Sequence, residues 1–247
     1  MRTKTVFGVL FACLFIGSPV FAQAPVVIYD PLRTAPEKNF TDADEQLLKT
    51  KVLPKISTKW SVSDSCDGSN LSVIGAVDGS FTKKAASQRA VLYEMCQTGN
   101  GFANNGIAIV ENGNVIANFV AEGGWNLDIV RIADIDKNGF DELAVETGGG
   151  MHQGYTGSSS NVIEISSTSV KSYGTFLVYS NECESLKAGE YCDRSYKITS
   201  RPGTKPAFSS QKYINKGSDE KPKWVVSGKP QVAKTIAGVD TKYTLVK

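Results

Sequence analysis

From residue 60 onward, the chain consists of short apolar runs separated by Gly, Asn and Ser, and this pattern limits what it can fold into. Runs of roughly 4–8 residues rich in β-branched and aromatic side chains are typical of β-strands. The dipeptide Asn112-Gly113 between two such runs favours a type I′ hairpin. Strands are predicted at residues 71–77, 89–95, 107–110, 115–120, 129–133, 143–146, 162–166, 176–179, 196–199, 207–214, 224–226 and 242–246.

A single helix is predicted ahead of these strands. Thr41 can cap its first turn, where Asp42, Asp44 and Glu45 suit the positive end of the helix dipole. Apolar residues follow on one face, and Pro54 then ends the pattern because a helix interior tolerates proline poorly. The sequence therefore predicts a mainly β fold with one N-terminal helix over residues 41–53.

The first 22 residues have the organisation of a secretory signal peptide. Arg2 and Lys4 precede an apolar run over residues 5–17, and small residues occupy the positions that a signal peptidase needs before a cut after Ala22. The run is shorter than the roughly 20 residues of a membrane-spanning helix. We expect a secreted or periplasmic protein with no membrane span.

The cysteines divide between this leader and the rest of the chain. A lipid anchor at Cys13 is disfavoured because the apolar run continues beyond it. The other four form an even set in an exported chain, which is typical of two disulfides. Three connectivities are possible, and chain proximity favours Cys66–Cys96 and Cys183–Cys192. A metal or redox role for them is disfavoured because they form no C-x-x-C pair.

Charge is unevenly distributed along the chain. Residues 23–150 carry 17 acidic and 11 basic side chains, whereas residues 200–247 carry 3 acidic and 10 basic ones. A basic end on an acidic body could bind an anionic surface. The favoured interpretation is that dispersed lysines keep the C-terminal strands soluble and protect a sheet edge. No nucleic-acid partner is expected.

Residues 134–142 carry the clearest chemical signal. Asp134, Asp136 and Asn138 place oxygen atoms at alternate positions, and Gly139 permits the sharp turn that wraps them around one ion. The backbone carbonyl of Phe140 and the carboxylate of Glu142 complete a predicted ligand set of hard oxygens. Asp141 is expected to point away from the ion, towards a backbone amide. The loop therefore predicts a calcium site.

Three alternatives to this calcium site were weighed. An EF-hand is excluded because Val145 stands where its bidentate glutamate would be and because the flanking segments are predicted strands. An Asx-rich turn without metal is the simpler alternative, since Asp and Asn are common turn formers. Magnesium is less suited because a wrapped, mostly dehydrated site fits the larger ion.

A weak internal similarity accompanies the loop. Residues 79–91, aligned 54 positions upstream of residues 133–145, share the loop length and the strand that follows, with three identical residues. Lys84 stands opposite Asn138, which would discourage a cation in this first copy. A spacing near 50 residues is typical of bladed β architectures.

Residues 129–165 resemble an FG-GAP (VCBS-type) repeat of integrin-like β-propellers. The residues that carry the resemblance are Asp134, Asp136, Asn138, Glu142, Leu143 and the glycine-rich stretch 148–157. The resemblance implies antiparallel sheets in a propeller-like or partial-propeller arrangement, with a degenerate copy at residues 71–120. The expected organisation is a lead-in over 23–60, a β domain over 61–180 and a C-terminal β extension over 181–247.

The leading functional interpretation is a secreted, calcium-binding β module with a non-catalytic binding or structural role, whose ligand is a protein or a polysaccharide. The alternatives are a hydrolase of envelope or extracellular polymers, using acids near Glu122, Asp128 or Glu146, and attachment of the basic C-terminal part to an anionic surface. His152, the single histidine, lacks a partner nucleophile and is interpreted as an ordinary loop residue rather than a ligand or a catalyst.

Overall fold

The computed structural model describes residues 23–33, 39–60, 71–97, 101–149, 152–185, 191–237 and 241–246. The predicted signal peptide, including Cys13, and the predicted disulfide partner Cys66 lie outside these ranges.

The N-terminal helical segment is longer than predicted. Helix α1 (Asp42–Lys51) starts with a capping box, in which the Thr41 hydroxyl accepts from the Asp44 N–H and the Asp44 carboxylate accepts from the Thr41 N–H. Helix α2 (Leu53–Trp60) follows after one residue, so the prediction that Pro54 ends the helix is wrong. Proline is tolerated there because it lies in the first turn of α2, where its missing N–H would have no helical partner.

The remaining elements are strands, of which the first and the twelfth lie outside the predicted segments. They are β1 (Val26–Tyr29), β2 (Leu71–Gly79), β3 (Gln88–Met95), β4 (Phe102–Glu111), β5 (Asn114–Ile132), β6 (Glu142–Gly148), β7 (Thr156–Ile165), β8 (Val170–Asn181), β9 (Asp193–Arg201), β10 (Ala207–Asn215), β11 (Trp224–Val226), β12 (Gln231–Val232) and β13 (Thr244–Leu245). The 13 strands form one open sheet, and neighbours from β2 to β11 follow the chain order. All the strand pairs are antiparallel, which confirms the mainly β class.

Strand β5 divides the sheet into two similar units. Its first half pairs with β4, and its second half, from Trp125, pairs with β6. The first unit is therefore β2, β3, β4 and residues 114–124, and the second unit is residues 125–132, β6, β7 and β8. Strands β4 and β7 have the same length and begin 54 residues apart, at Phe102 and Thr156. The order and spacing of the strands thus recur along the chain.

The two units share a buried core. Its large side chains come from both, namely Phe81, Leu92, Ile107 and Phe119 from the first and Ile129, Leu143, Val145 and Ile163 from the second. The helices cover another face of the first unit through Leu48, Val52 and Ile56. Burial of these apolar surfaces is the main stabilising term, at roughly 25 cal/mol for each Å² removed from water.

The C-terminal strands continue the sheet beyond β8. The Cys183–Cys192 disulfide bridges the β8–β9 connection, as predicted. Cys96 is disulfide-bonded as well. Disulfides are typical of proteins that fold outside the cytoplasm. Within the described part of the chain, no helix is both long and apolar enough to cross a membrane.

Candidate metal centre

The predicted calcium loop connects β5 to β6 and is shaped by its own side chains. Asp134 accepts hydrogen bonds from the N–H groups of Asn138 and Gly139 at 2.9 and 2.7 Å. Asp136 accepts from the Asn138 N–H at 3.1 Å. Lys137 and Gly139 have positive φ values of 64° and 94°, which tighten the turn. These hydrogen bonds hold the loop in a curved conformation without an ion.

Glu142 brings a third carboxylate to the inner side of this loop. Its side chain is fully buried, and its Oε2 atom accepts from the Ile135 N–H at 2.9 Å. One carboxylate oxygen from each of Asp134, Asp136 and Glu142 lies within 4.8 Å of the others. This spacing suits ligands of a single ion, because two oxygens bound at about 2.4 Å lie less than 5 Å apart.

The ionised form of Glu142 is disfavoured in this cluster. Burial raises the pKa of Glu142 to about 8, and the negative charges of Asp136, Asp134 and Glu164 add to the effect. Burial also acts to raise the pKa of Asp136, but hydrogen bonds from Tyr173 and Lys171 outweigh it and lower that pKa. The three loop carboxylates are therefore not balanced by groups of the loop itself.

Three residues that the sequence did not identify complete the site, and all come from β7 and β8. The Tyr173 hydroxyl lies 2.5 Å from Asp136 Oδ2, 2.9 Å from Glu164 Oε2 and 3.5 Å from Glu142 Oε1. The Lys171 ammonium lies 3.1 Å from Asp136 and 3.8 Å from Glu164. One hydroxyl proton cannot serve three carboxylates, and a single ammonium cannot neutralise the four at this site.

The other two predicted ligands are Asn138 and Phe140. The Asn138 amide donates to Glu164 Oε2 at 2.5 Å, while its oxygen accepts from the Phe140 N–H at 2.9 Å. That oxygen retains a second lone pair for an ion. The Phe140 ring lies beneath the Lys84 ammonium, 5.6 Å from it. Asp141 points away, since it accepts from the Ser80 N–H at 2.9 Å.

The loop between β2 and β3 shares one hydrogen bond with the metal loop and has no acidic side chain. Gln88, 54 residues before Glu142, is also buried, and its oxygen accepts from the Phe81 N–H at 3.0 Å, as Glu142 accepts from Ile135. The Gln88 amide group donates to the Thr82 hydroxyl at 2.8 Å. An N–H donor thus bridges the side chains of Gln88 and Thr82 in the first loop, where the second loop has the carboxylates of Glu142 and Asp136.

The acidic residues considered for a hydrolase lie elsewhere. Asp128 and Glu146 face each other across β5 and β6. Glu122 is exposed on the first half of β5, away from this pair in the sheet. His152 is exposed at a two-residue turn, where it exchanges backbone hydrogen bonds with Tyr155.

Searches of protein-family models, of curated proteins and of solved structures found no match to this chain. Its function must therefore be inferred from its own geometry.

Proposed function

We propose that the protein is an exported β module in which one calcium ion, held by residues 134–142, stabilises the fold for a non-catalytic binding or structural role. The observation that carries the proposal is the convergence of the Asp134, Asp136 and Glu142 carboxylates within 4.8 Å. Calcium prefers carboxylate and carbonyl oxygens. The Asn138 and Phe140 oxygens complete the proposed ligand set.

The charges around the cluster support a divalent ion. Asp134, Asp136, Glu142 and Glu164 bring four carboxylates together, and Lys171 is the one basic side chain that the structure pairs with any of them in the described residues. When all four carboxylates are ionised, Lys171 leaves three negative charges uncompensated. A calcium ion neutralises two of them and leaves Tyr173 with fewer competing acceptors. The proposed ligands span residues 134–142, so the ion stabilises the connection between β5 and β6.

The first loop supports the proposal by contrast. Its buried side-chain hydrogen bond to the backbone is preserved, yet Gln88, Ser80 and Thr82 replace the three carboxylates. A neutral amide that donates to Thr82 satisfies this loop without an ion. The first loop therefore lacks the negative charge that would hold a cation.

The recurrence of strands also favours a family assignment, which we include in the proposal. Residues 129–165, which carry the FG-GAP (VCBS-type) resemblance, contain the end of β5, the acidic loop, β6 and β7 in that order, and this order supports the assignment. The predicted signal peptide, cleaved after Ala22, places the protein in the periplasm or outside the cell. Calcium is available there at levels that suit sites with dissociation constants of roughly 10⁻⁴–10⁻³ M.

The proposal is tested by adding calcium to chelator-treated mature protein while its melting temperature is followed. At a concentration about 100 times the dissociation constant, binding adds about 2.7 kcal/mol. For a chain of this size this amounts to roughly 5–10 °C. The double variant Asp134→Ala/Asp136→Ala should show no shift, and the control Ser80→Ala/Thr82→Ala in the first loop should retain it. An equal shift in the first variant, or none in wild type, would refute the proposal.

A further inference from the structure

A groove runs along the opposite end of β5 and β6 from the metal loop. It consists of two adjoining cavities of about 500 and about 420 Å³. Both are lined by Tyr29, Leu127 and Glu146. The combined volume is in the range of small-molecule sites.

The two repeated units shape this groove through matching irregularities. Strand β2 has an extra residue at Ile74 and strand β5 has one at Leu127, each opposite a regular partner strand. Such β-bulges locally redirect side chains and often lie beside binding sites. Ile74 and Leu127 both line the larger cavity, and Leu127 is 47% exposed there. They provide an apolar wall close to the surface.

The second cavity is lined by aromatic side chains and by backbone. Trp125 and Tyr179 contribute rings, and Tyr29 lies between the two cavities. Part of the lining is backbone without side chains, at Gly148, Gly149 and Gly157. Aromatic faces and an apolar wall suit the stem of an organic ligand and attract a cationic head group.

The charges that line the groove leave one carboxylate without a counter-ion. The Arg33 guanidinium lies 3.0 Å from Asp128, and Lys197 lies 2.6 Å from Asp30. Glu146 accepts a hydrogen bond from the Ser158 hydroxyl at 3.0 Å, but it has no ion-pair partner among the residues described. Asp128 faces it directly across the strands. Burial, with this neighbouring charge, raises the pKa of Glu146, while the Ser158 hydrogen bond and the positive charge of Arg33 act in the opposite direction. A half-buried carboxylate in this position is stabilised by a cation.

From this combination we infer that the groove binds an organic cation, a primary ammonium or guanidinium group on a short apolar stem. Glu146 is the counter-ion of the head group. The apolar wall at Leu127 and the Tyr29 and Trp125 rings contact the stem. Arg33 competes with the ligand, because its guanidinium pairs with Asp128 and its positive charge also acts on Glu146.

The inference is tested by nuclear magnetic resonance titration of the calcium-loaded mature chain with four probes. The cations are Nα-acetyl-lysine methylamide and n-butylammonium, and the neutral probes are Nα-acetyl-norleucine methylamide and cellotriose. Both cations should shift the amide signals of Leu127 and Gly148. The norleucine probe should bind at least about tenfold more weakly, since it lacks a charge-assisted hydrogen bond. Equal affinities of the two cations indicate a free amine as the ligand, and a tighter lysine probe indicates a peptide side chain.

Variants test the direction of the change in affinity for the cations as well as its magnitude. Glu146→Gln keeps the Ser158 hydrogen bond and should weaken both cations by at least about tenfold. Arg33→Gln removes the competing charge and should tighten both, which a folding defect would not do. Glu122→Gln, an exposed change on the same strand as Leu127, should leave the affinities unchanged. The inference is overturned if the norleucine probe binds as tightly as lysine, if cellotriose binds and the cations do not, or if Glu146→Gln has no effect.

Discussion

Replacing Glu142 by glutamine tests how the buried carboxylate acts with and without calcium. The variant Glu142→Gln copies the side chain that Gln88 already provides in the first loop. The amide oxygen can still accept from the Ile135 N–H, which lies 2.9 Å from Glu142 in the wild-type site. The change replaces a titratable carboxyl group by a neutral amide of the same size and alters little else.

The expected magnitude follows from the raised pKa of Glu142, which is about 8 in the folded protein. The pKa of an unperturbed glutamate is about 4.3. Without calcium, the folded state therefore holds a proton that the unfolded state releases. Its stabilising contribution is complete below about pH 4 and is lost as the pH rises towards 8. Each pH unit within this window lowers the free energy of unfolding by about 1.4 kcal/mol, which sums to roughly 5 kcal/mol.

The assay is urea unfolding in chelator between pH 4 and 8, for wild type, Glu142→Gln and the exposed control Glu122→Gln. The difference between wild type and Glu142→Gln should grow with pH, and at pH 8 the variant should be the more stable by several kcal/mol. In saturating calcium the wild type should recover and the variant should not respond. A pH-independent difference would show that the ionised form of Glu142 is not disfavoured in the folded protein. A calcium response retained by the variant would show that Glu142 is not a ligand.

Three further perturbations have expected outcomes. Lys171→Met removes the ammonium that lies 3.1 Å from Asp136, so calcium binding should become tighter. Calorimetry measures this change, and weaker binding would mean that Lys171 supports the site. Replacing Cys183 and Cys192 by serine should lower the free energy of unfolding by about 2–3 kcal/mol, since the bridge spans 9 positions, and an unchanged urea midpoint would contradict this. Gly139→Ala should destabilise by about 1–2 kcal/mol because φ is 94° there, whereas Gly203→Ala, with open space around it, should not.

Local patterns in the sequence predicted the local structure well. Asn112 and Gly113 have φ values of 50° and 73°, as a type I′ hairpin requires. Cys183 and Cys192 pair, and their closeness in the chain was sufficient to indicate it. The acid pattern of residues 134–142 likewise indicated which carboxylates would converge. These features depend on backbone geometry within about ten residues.

Features that depend on distant parts of the chain were missed. Glu164, Lys171 and Tyr173 reach the metal loop only because β7 and β8 pair beside β6, and no motif marks them. Strand β5 was predicted as two strands, at residues 115–120 and 129–133, but it runs unbroken from Asn114 to Ile132. Its glycine is needed for packing, since a side chain at Gly124 would lie 2.5 Å from the Gly148 carbonyl oxygen.

The groove could not have been found from composition either. The sequence places Asp128 and Glu146 18 positions apart, and only the register of β5 on β6 sets them face to face. That register includes the bulge at Leu127, which a period-two pattern does not reveal. Sequence reasoning identified both acids as candidates but not their shared position.

The central claim, that residues 134–142 bind calcium and residues 80–88 do not, is tested most directly by crystallography with a calcium-like anomalous scatterer. Crystals of the mature protein soaked in terbium should show one anomalous peak bonded to Asp134, Asp136 and Glu142, with the Lys171 ammonium displaced. Excess calcium should reduce that peak. The first loop, where Gln88 donates to Thr82, should show none. No peak at the second loop, with Lys171 still bonded to Asp136, would contradict the account.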